Sequence, residues 1–447
     1  MAALGGADAR ALGGMPAPTL SQLPCPSPTR LLLHVWIVVR PRAYAIQVPA
    51  SSNMLVSALK HTLVAKHALA SDTALLRIFL NGKELDDATS FAMLGFFEGD
   101  VVLAVGVFPR DVTSLASTSM YMRPCLPTHW PSELKQALDC ALRSMSAGTA
   151  PHLAADGLSG SYFLLGDDDD GCTPDSGSKQ VPVAVFKPRD EEYNAPLNPK
   201  GHARSMHHII HDTGLRSGEG YVREAAAYVL DHEGFANVLP TGVVEAWHPR
   251  FNNVEQDARA VRSNKRVYGP PIRKVGSFQL FARGCLSASP SGAGITTLQA
   301  QALALLDMRL LNVDRNEDNA MVRKRADGTH ELIPIDHGRI LPPGLGVSDF
   351  EWGWMFWEQV REPILPEVAA YIERLDIEAD VQLLRAVFGP HISDSSLLTL
   401  RTTTTFIKQA VRKGMNLIQI ACCMCRDADH PNFSQLERLA EHSEHLL

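Results

Sequence analysis

Two segments constrain this chain more than any other feature: Leu310-Leu311-Asn312-Val313-Asp314-Arg315-Asn316-Glu317-Asp318-Asn319 and Ile333-Pro334-Ile335-Asp336-His337-Gly338. Asn319 and Asp336 offer the hard oxygen ligands that magnesium takes. Asp314 can orient or deprotonate an attacking hydroxyl. The apolar strand before Asp336 and the glycine just after it would let that carboxylate approach a bound metal. Any one of these loops alone is ordinary. What makes them informative is that the other parts of a phosphoryl-transfer site precede them in order. Gly157-Leu158-Ser159-Gly160-Ser161-Tyr162-Phe163 stands before a β pattern, where backbone N–H groups could reach phosphate oxygens. Val183-Ala184-Val185-Phe186-Lys187 reads as a strand ending in lysine, and Gly220 to Leu230 as a strong helix whose Glu224 can pair with Lys187.

The rest of the chain reads as two or more domains, since 447 residues exceed what one core usually serves. Residues 1–29 are rich in Ala, Gly, Pro and Ser and read as a disordered leader rather than a secretory signal. Between 30 and 108 the order is strand, strand, helix, strand, tight turn at Asn81-Gly82-Lys83, and a last strand from Gly99. Residues 109–150 read as a linker holding one helix, Ser132 to Met145, and 151–428 as the catalytic domain, followed by a tail over 429–447. Asp167 to Gly171 reads as a solvated hairpin tip, and Asn252 to Pro271 as a surface loop. Helical periodicity spans Asp376–Phe388 and Leu397–Met424.

A net charge of −7 argues against nucleic acid as a partner, and no apolar run reaches the ~18–20 residues of a membrane span. Eight scattered cysteines suit a reducing compartment, and Cys422, Cys423 and Cys425 read as buried helix thiols. The expected location is therefore cytoplasmic, peripheral to a membrane or nuclear.

Asp314 and Asn319 repeat the interval between the catalytic-loop Asp and Asn of kinases, and Asp336-His337-Gly338 takes the place of Asp-Phe-Gly. The stretches "VAVFKPRDEEYNAPLNPKG", "GEGYVREAAAYVLDHEGFANVLPTG", "SFQLF", "LDMRLLNVDRNEDNAMVRK", "ELIPIDHGRIL" and "DFEWGWMFW" resemble the plant-type phosphatidylinositol 4-kinase gamma group. "FLNGKELDDATSFAMLGFFEGDVVLAV" resembles ubiquitin, and members of that group carry ubiquitin-like domains ahead of the kinase. The fold class implied is α+β: a ubiquitin-like β-grasp module, then a two-lobed protein-kinase-like catalytic domain.

The resemblance implies ATP and Mg2+ (with Mn2+ as a substitute) as cofactors and transfer to the inositol 4-hydroxyl of phosphatidylinositol. Ser159, Gly160, Ser161, Tyr162 and Phe163 would cover the phosphates, Lys187 would contact them and Glu224 would hold Lys187. Phe278, Gln279, Leu280 and Phe281 would form the adenine hinge. Asp314 and Asn319 would belong to the catalytic loop, with Asn319 and Asp336 on the metal. Asn316 stands where the family has histidine, and an asparagine amide cannot take a proton near neutral pH. Two alternatives stay open: the resemblance to the gamma group also implies a Ser/Thr protein kinase acting on ubiquitin-pathway partners, and the departure at Asn316, with the N-terminal module, a weakly active, pseudokinase-like ATP-binding scaffold. Trp352, Trp354, Phe356 and Trp357 are candidates for a membrane-facing surface, and the N-terminal module for binding proteins. Because that module has its own core, removal of residues 1–108 is expected to leave the remainder folded.

Overall fold

The computed structural model describes residues 31–38, 42–108, 120–167, 180–253, 272–346, 352–426 and 432–444. The leader, the acidic tip beyond Asp167 and most of the loop from Asn252 to Pro271 lie outside the described residues.

The N-terminal module is a five-stranded sheet in the order β2-β1-β5-β3-β4. Its strands are β1 (Leu31–Ile37), β2 (Tyr44–Ala50), β3 (Leu76–Leu80), β4 (Lys83–Glu84) and β5 (Gly99–Val107), with α1 (Val56–His67) packed against one face. β1 pairs antiparallel with β2 and parallel with β5, which is the β-grasp arrangement. Alternation sorts the side chains: Leu31, Leu33, Val35 and Ile37 meet Val56, Leu59 and Leu63 beneath the helix. Trp36, Val38, Phe79 and Ala104 point the other way.

That second face is covered in part, with Gln47 and Pro49 of β2 left exposed. Its residues join Phe108, Met122, Leu126 and the buried side of α6 (Ile377–Phe388) in one continuous core. At the closest approach, a Cβ on Gly82 would lie 3.1 Å from the Phe388 carbonyl, and one on Gly389 would collide with the Asn81 carbonyl. Arg77 Nη1 donates to the Pro124 carbonyl at 2.8 Å, and the Arg42 guanidinium to the Arg374 carbonyl at 2.9 Å. The module has its own inner core, as expected of a separate domain, but Trp36, Phe79 and Ala104 of its sheet face belong to a core shared with its neighbour.

Behind the module lies a six-stranded sheet in the order β6-β10-β11-β9-β8-β7. It comprises β6 (Tyr121–Pro124), β7 (His152–Leu153), β8 (Tyr162–Asp167), β9 (Gln180–Pro188), β10 (Thr241–Trp247) and β11 (Lys274–Leu280). The stretch read as a linker is integral to this sheet. β6 forms its edge, and α2 (Ser132–Ser146) buries Leu134, Leu138 and Leu142 in the same core. α3 (Gly220–Leu230), nearly all of it buried, packs on β10 and β11.

The C-terminal part is helical, apart from the small sheet β12 (Cys285–Ser287), β13 (Ala320–Lys324) and β14 (His330–Pro334). α4 (Thr297–Leu310) opens on a Thr296–Gln299 capping box and runs through its centre. Around it stand α5 (Pro366–Arg374), α6, α7 (Asp394–Arg412), α8 (Leu417–Met424) and α9 (Gln435–Glu444). The periodicity from Leu397 to Met424 is two helices rather than one. Gly414 turns at φ +81°, and Asn416 starts α8 with its own capping box. Trp352, Trp354 and Trp357 are buried, and only Phe356 faces outward, so these aromatics are core rather than a membrane surface. Of the thiol cluster, Cys425 is buried whereas Cys422 is exposed.

Candidate active site

β9 delivers Lys187 into the cleft between the sheet and the helical part. Its ammonium pairs with Glu224 of α3 and reaches Asp336 Oδ1 at 3.0 Å. Burial alone would favour the neutral amine, but Asp336 and Glu224 hold it charged and raise its pKa. Glu224 is desolvated as well, and Lys187 and His337 bring its carboxyl well below the usual carboxylate range. Its second oxygen accepts from the His337 backbone N–H at 3.0 Å, so Glu224 grips both the lysine and the Asp336-His337-Gly338 turn. Asp336 itself has φ +53° and a side chain 47% exposed. A non-glycine residue in the left-handed region that still presents its carboxylate to the cleft is held there by its surroundings.

Those surroundings are a buried ion pair. Asp307 of α4 receives Arg315 Nε at 2.9 Å, Arg315 Nη2 at 3.1 Å, Asn312 Nδ2 at 3.0 Å and Trp354 Nε1 at 3.0 Å. With four donors on one carboxylate, every lone-pair direction is used. Arg315 also donates to the carbonyls of Asn319 and, at 2.7 Å, Ile335. A single guanidinium therefore ties the loop from Asp314 to Asn319 to the strand that leads into Asp336. Asn319 Nδ2 donates to the Asp314 carbonyl at 2.8 Å, which leaves Oδ1 as its free ligand atom. Asp314 is half-buried. Desolvation raises its carboxyl pKa, Arg339 opposes that and Asp336 adds to it. Asn316 is exposed and caps the turn: its Oδ1 accepts from the backbone N–H groups of Asp318 at 3.0 Å and Asn319 at 3.2 Å. Asparagine here has a local structural reason, because it shapes the turn that carries Asn319.

The glycine loop is arranged differently from expectation at Tyr162 and at Gly160. Tyr162 is buried, and its hydroxyl donates to Glu191 Oε2 at 2.7 Å, so its ring faces the sheet core rather than a phosphate. β8 alternation places Phe163 on the other side, edge-on to Phe281 with ring centroids 5.5 Å apart. Ser159 Oγ accepts from the Tyr193 N–H at 2.9 Å, and the Gly160 N–H donates to the Glu191 carbonyl at 2.8 Å. A Cβ on Gly160 would stand 2.6 Å from the Glu191 carboxylate, so only glycine lets the loop lie this close. Ser161 is half-buried at the start of β8.

In the expected hinge, Phe278 stacks on Trp130 at 5.9 Å, and Gln279 Nε2 donates to Thr241 Oγ1 at 2.8 Å. Both side chains are buried, and only Leu280 and Phe281 remain partly open. Phe278 and Gln279 are thus scaffold, and their side chains do not face an adenine. Sequence reasoning missed Asp307, Glu191 and Lys274. Lys274 is buried and pairs with Asp190 at 2.7 Å and Glu191 at 2.9 Å. Its one sequence signal is that it is the single charged residue of a strand that is otherwise uncharged.

As a donor set, Asn319 and Asp336 fit a hard divalent cation: both offer oxygen, and among the described residues no group of three or more His, Cys, Asp or Glu side chains competes for the metal.

Residues 171–420 match the family model described as phosphatidylinositol 3- and 4-kinase. A curated relative, phosphatidylinositol 4-kinase gamma 4 of Arabidopsis thaliana, is 33% identical over 310 residues, covering 66% of this chain and 50% of its own. Phosphatidylinositol 4-kinase gamma 6 of Arabidopsis thaliana is 35% identical over 324 residues (70% and 49%), and phosphatidylinositol 4-kinase gamma 4 of Oryza sativa subsp. japonica 34% over 311 (67% and 49%). The chain spans about half the length of the curated relatives it matches. A chain from the solved structure titled "Crystal Structure of pParkin-pUb-UbcH7 complex" matches at 9% identity with a TM-score of 0.16, covering 54% of this chain and 75% of that one. An overlay of that size carries no argument, and the β-grasp assignment rests on the strand order above. The family match and the ordered set of Lys187, Glu224, Asp314, Asn319 and Asp336 agree: this chain belongs to the phosphatidylinositol 3- and 4-kinase family.

Proposed function

We propose that this protein transfers the γ-phosphate of ATP to the inositol 4-hydroxyl of phosphatidylinositol. The observation that supports it most is the convergence of Lys187, Glu224 and Asp336, with the Asp314–Asn319 loop pinned to the same turn by Arg315. Lys187 holds phosphate oxygens, and Glu224 keeps it charged and aimed. Asn319 and Asp336 would hold Mg2+, which supplies charge neutralisation on the transferring group. Asp314 orients the acceptor hydroxyl and takes its proton; no histidine is needed if this carboxylate is the base. Ser161, and Ser159 beside it, would lie over the phosphates, with Gly160 anchoring the loop through its bond to the Glu191 carbonyl, and Leu280 and Phe281 would lie beside the adenine.

The acceptor is a bilayer lipid, so the reading entails peripheral membrane contact. Among the described residues no helix is long and apolar enough to cross a membrane. Protein partners of the N-terminal module would meet its helix side or the open β2 margin of its sheet, where Ala45, Gln47 and Pro49 are exposed, because Trp36, Phe79 and Ala104 are covered. The test is a radiolabelled-ATP assay with phosphatidylinositol vesicles and a generic protein substrate side by side. Label in phosphatidylinositol 4-phosphate is expected. Label in protein alone would replace the lipid reading with a protein-kinase one, and label in neither would leave an ATP-binding scaffold.

A further inference from the structure

The start of α3 is held from outside the helix. Glu192 Oε2 accepts from the backbone N–H of Gly218 at 2.7 Å and of Gly220 at 3.1 Å, and Oε1 from that of Tyr221 at 3.0 Å. The residue at the N-cap position, Glu219, makes no side-chain cap bond, and the first turn contains no acidic residue. One carboxylate thus satisfies the donors that a helix start leaves unpaired, and it meets the positive end of the helix dipole. The two glycines make room for it: a Cβ on Gly220 would come 3.1 Å from Glu192 Oε1, and Gly218 turns at φ +84°. Burial pushes the Glu192 carboxyl up to about 7 even though three N–H groups and Arg189 pull the other way. Holding this carboxylate in place therefore has a desolvation cost.

The geometry links this clamp to the cleft. Glu192 follows Lys187 on the same run of chain, separated from it by the tight 3-10 turn Arg189–Glu191. Lys274 of β11 fixes that turn through Asp190 and Glu191. One helical turn beyond Gly220 stands Glu224, the partner of Lys187. The strand–turn unit thus grips α3 twice, once at its first turn and once at its second.

We propose that Glu192 is a positioning residue: by seating the first turn of α3 it sets the height at which Glu224 meets Lys187. This rests on the phosphotransfer reading above. A small misplacement of a catalytic group can cost up to about 10²-fold in rate. Glu192→Ala is therefore expected to lower kcat by about 10–100-fold while the KM for phosphatidylinositol stays put. Sodium acetate, supplying a free carboxylate to the vacated site, should restore part of that loss. It should not help Glu192→Gln, whose side chain fills the site. Glu192→Gln keeps the shape and one acceptor oxygen, and should fall between wild type and the alanine variant; it carries the test if Glu192→Ala does not fold.

Amide hydrogen exchange over residues 218–224 supplies a readout that needs no turnover. Exchange should quicken in Glu192→Ala and slow again with acetate. Unchanged exchange and unchanged kcat in both variants would overturn the proposal, as would a kcat loss that acetate leaves untouched while it restores the amides. If wild type transfers no phosphate to lipid, the functional reading fails, and the exchange data still decide the clamp.

Discussion

The joint between the N-terminal module and the helical part is built from apolar faces and close backbone approach. The candidate active-site cleft, by contrast, is built from charges left partly in water. At the joint Trp36, Phe79, Ala104 and Phe108 are buried together with the inner side of α6, and glycine at 82 and 389 lets two backbones nearly touch. In the cleft Lys187, Asp314 and Asp336 stay partly open, and their fixed support lies behind them in Glu224 and in the Asp307–Arg315 pair. Burial of this kind stabilises by about 1.5–3 kcal/mol per large apolar side chain, whereas an exposed carboxylate contributes little to folding. Stability should therefore follow the joint, and turnover the cleft.

The largest effect should come from cutting the joint. Removal of residues 1–108 uncovers the apolar side of α6 and the neighbourhood of Met122 and Leu126, so the remainder is expected to be insoluble or to bind a hydrophobic dye such as ANS. A truncated protein that stays monodisperse and melts cooperatively near the full-length value would erase the contrast.

Next comes the cleft. Asp314→Asn should lower kcat by about 10²–10⁴-fold, as expected for loss of a general base, and leave the melting temperature within a degree or two. Because burial raises the Asp314 pKa, the acid limb of kcat/KM should lie above the ordinary aspartate range and vanish in the variant. The sign for folding is opposite. A carboxyl whose folded pKa is raised favours the native state at acid pH, and that contribution is lost as pH rises through the folded value. Stability and activity should thus run in opposite directions across the same titration.

Gly389→Ala should be smaller and of the other kind. A methyl group there collides with the Asn81 carbonyl at a residue with φ +55°, so about 1–3 kcal/mol of stability should be lost with kcat unchanged. A large fall in kcat without any change in melting would mean that the joint is part of the catalytic machinery. Smallest of all should be Asn316→His. It removes a cap worth about 0.5–2 kcal/mol from the turn holding Asn319, and turnover should move by less than about tenfold. A gain beyond that would show that an imidazole at this position contributes to transfer even though Asp314 is present.

The same contrast explains what could be read from the sequence. Motifs such as Asp314 to Asn319 are local: chemistry and spacing sit within a few residues, and the order of Lys187, Glu224 and Asp336 along the chain is enough to assign them to one site. The β-grasp order was legible for a similar reason, since alternation and a tight turn are short-range patterns. What stayed hidden needed a partner from far along the chain. Strand alternation shows that Trp36 and Phe79 face away from α1, but nothing local says that α6 covers them. The buried tryptophans after residue 351 look the same in sequence whether they meet lipid or Asp307. Tyr162 could have been resolved, because it shares a face with Leu164 in β8 and so points inward. The break at Gly414-Asn416 could also have been found, from the glycine followed by an Asn–Gln capping pair.

The placement of β6 and α2 has a consequence for where this chain can be cut. As the sheet stands, its margins are a four-residue strand on one side and a two-residue strand on the other, β6 and β7. Short margins of this kind offer little backbone for another chain to pair with. A fragment beginning at residue 151, the boundary suggested by the glycine loop, lacks β6 and would turn β10 into the margin. Thr241 to Trp247 is almost wholly buried, and the backbone amides and carbonyls of Val244 to Trp247 that β6 now covers would form an adhesive rim. Such a fragment would keep every residue of the cleft and still recruit its own copies into extended sheets, so the catalytic unit that can be handled alone begins no later than β6.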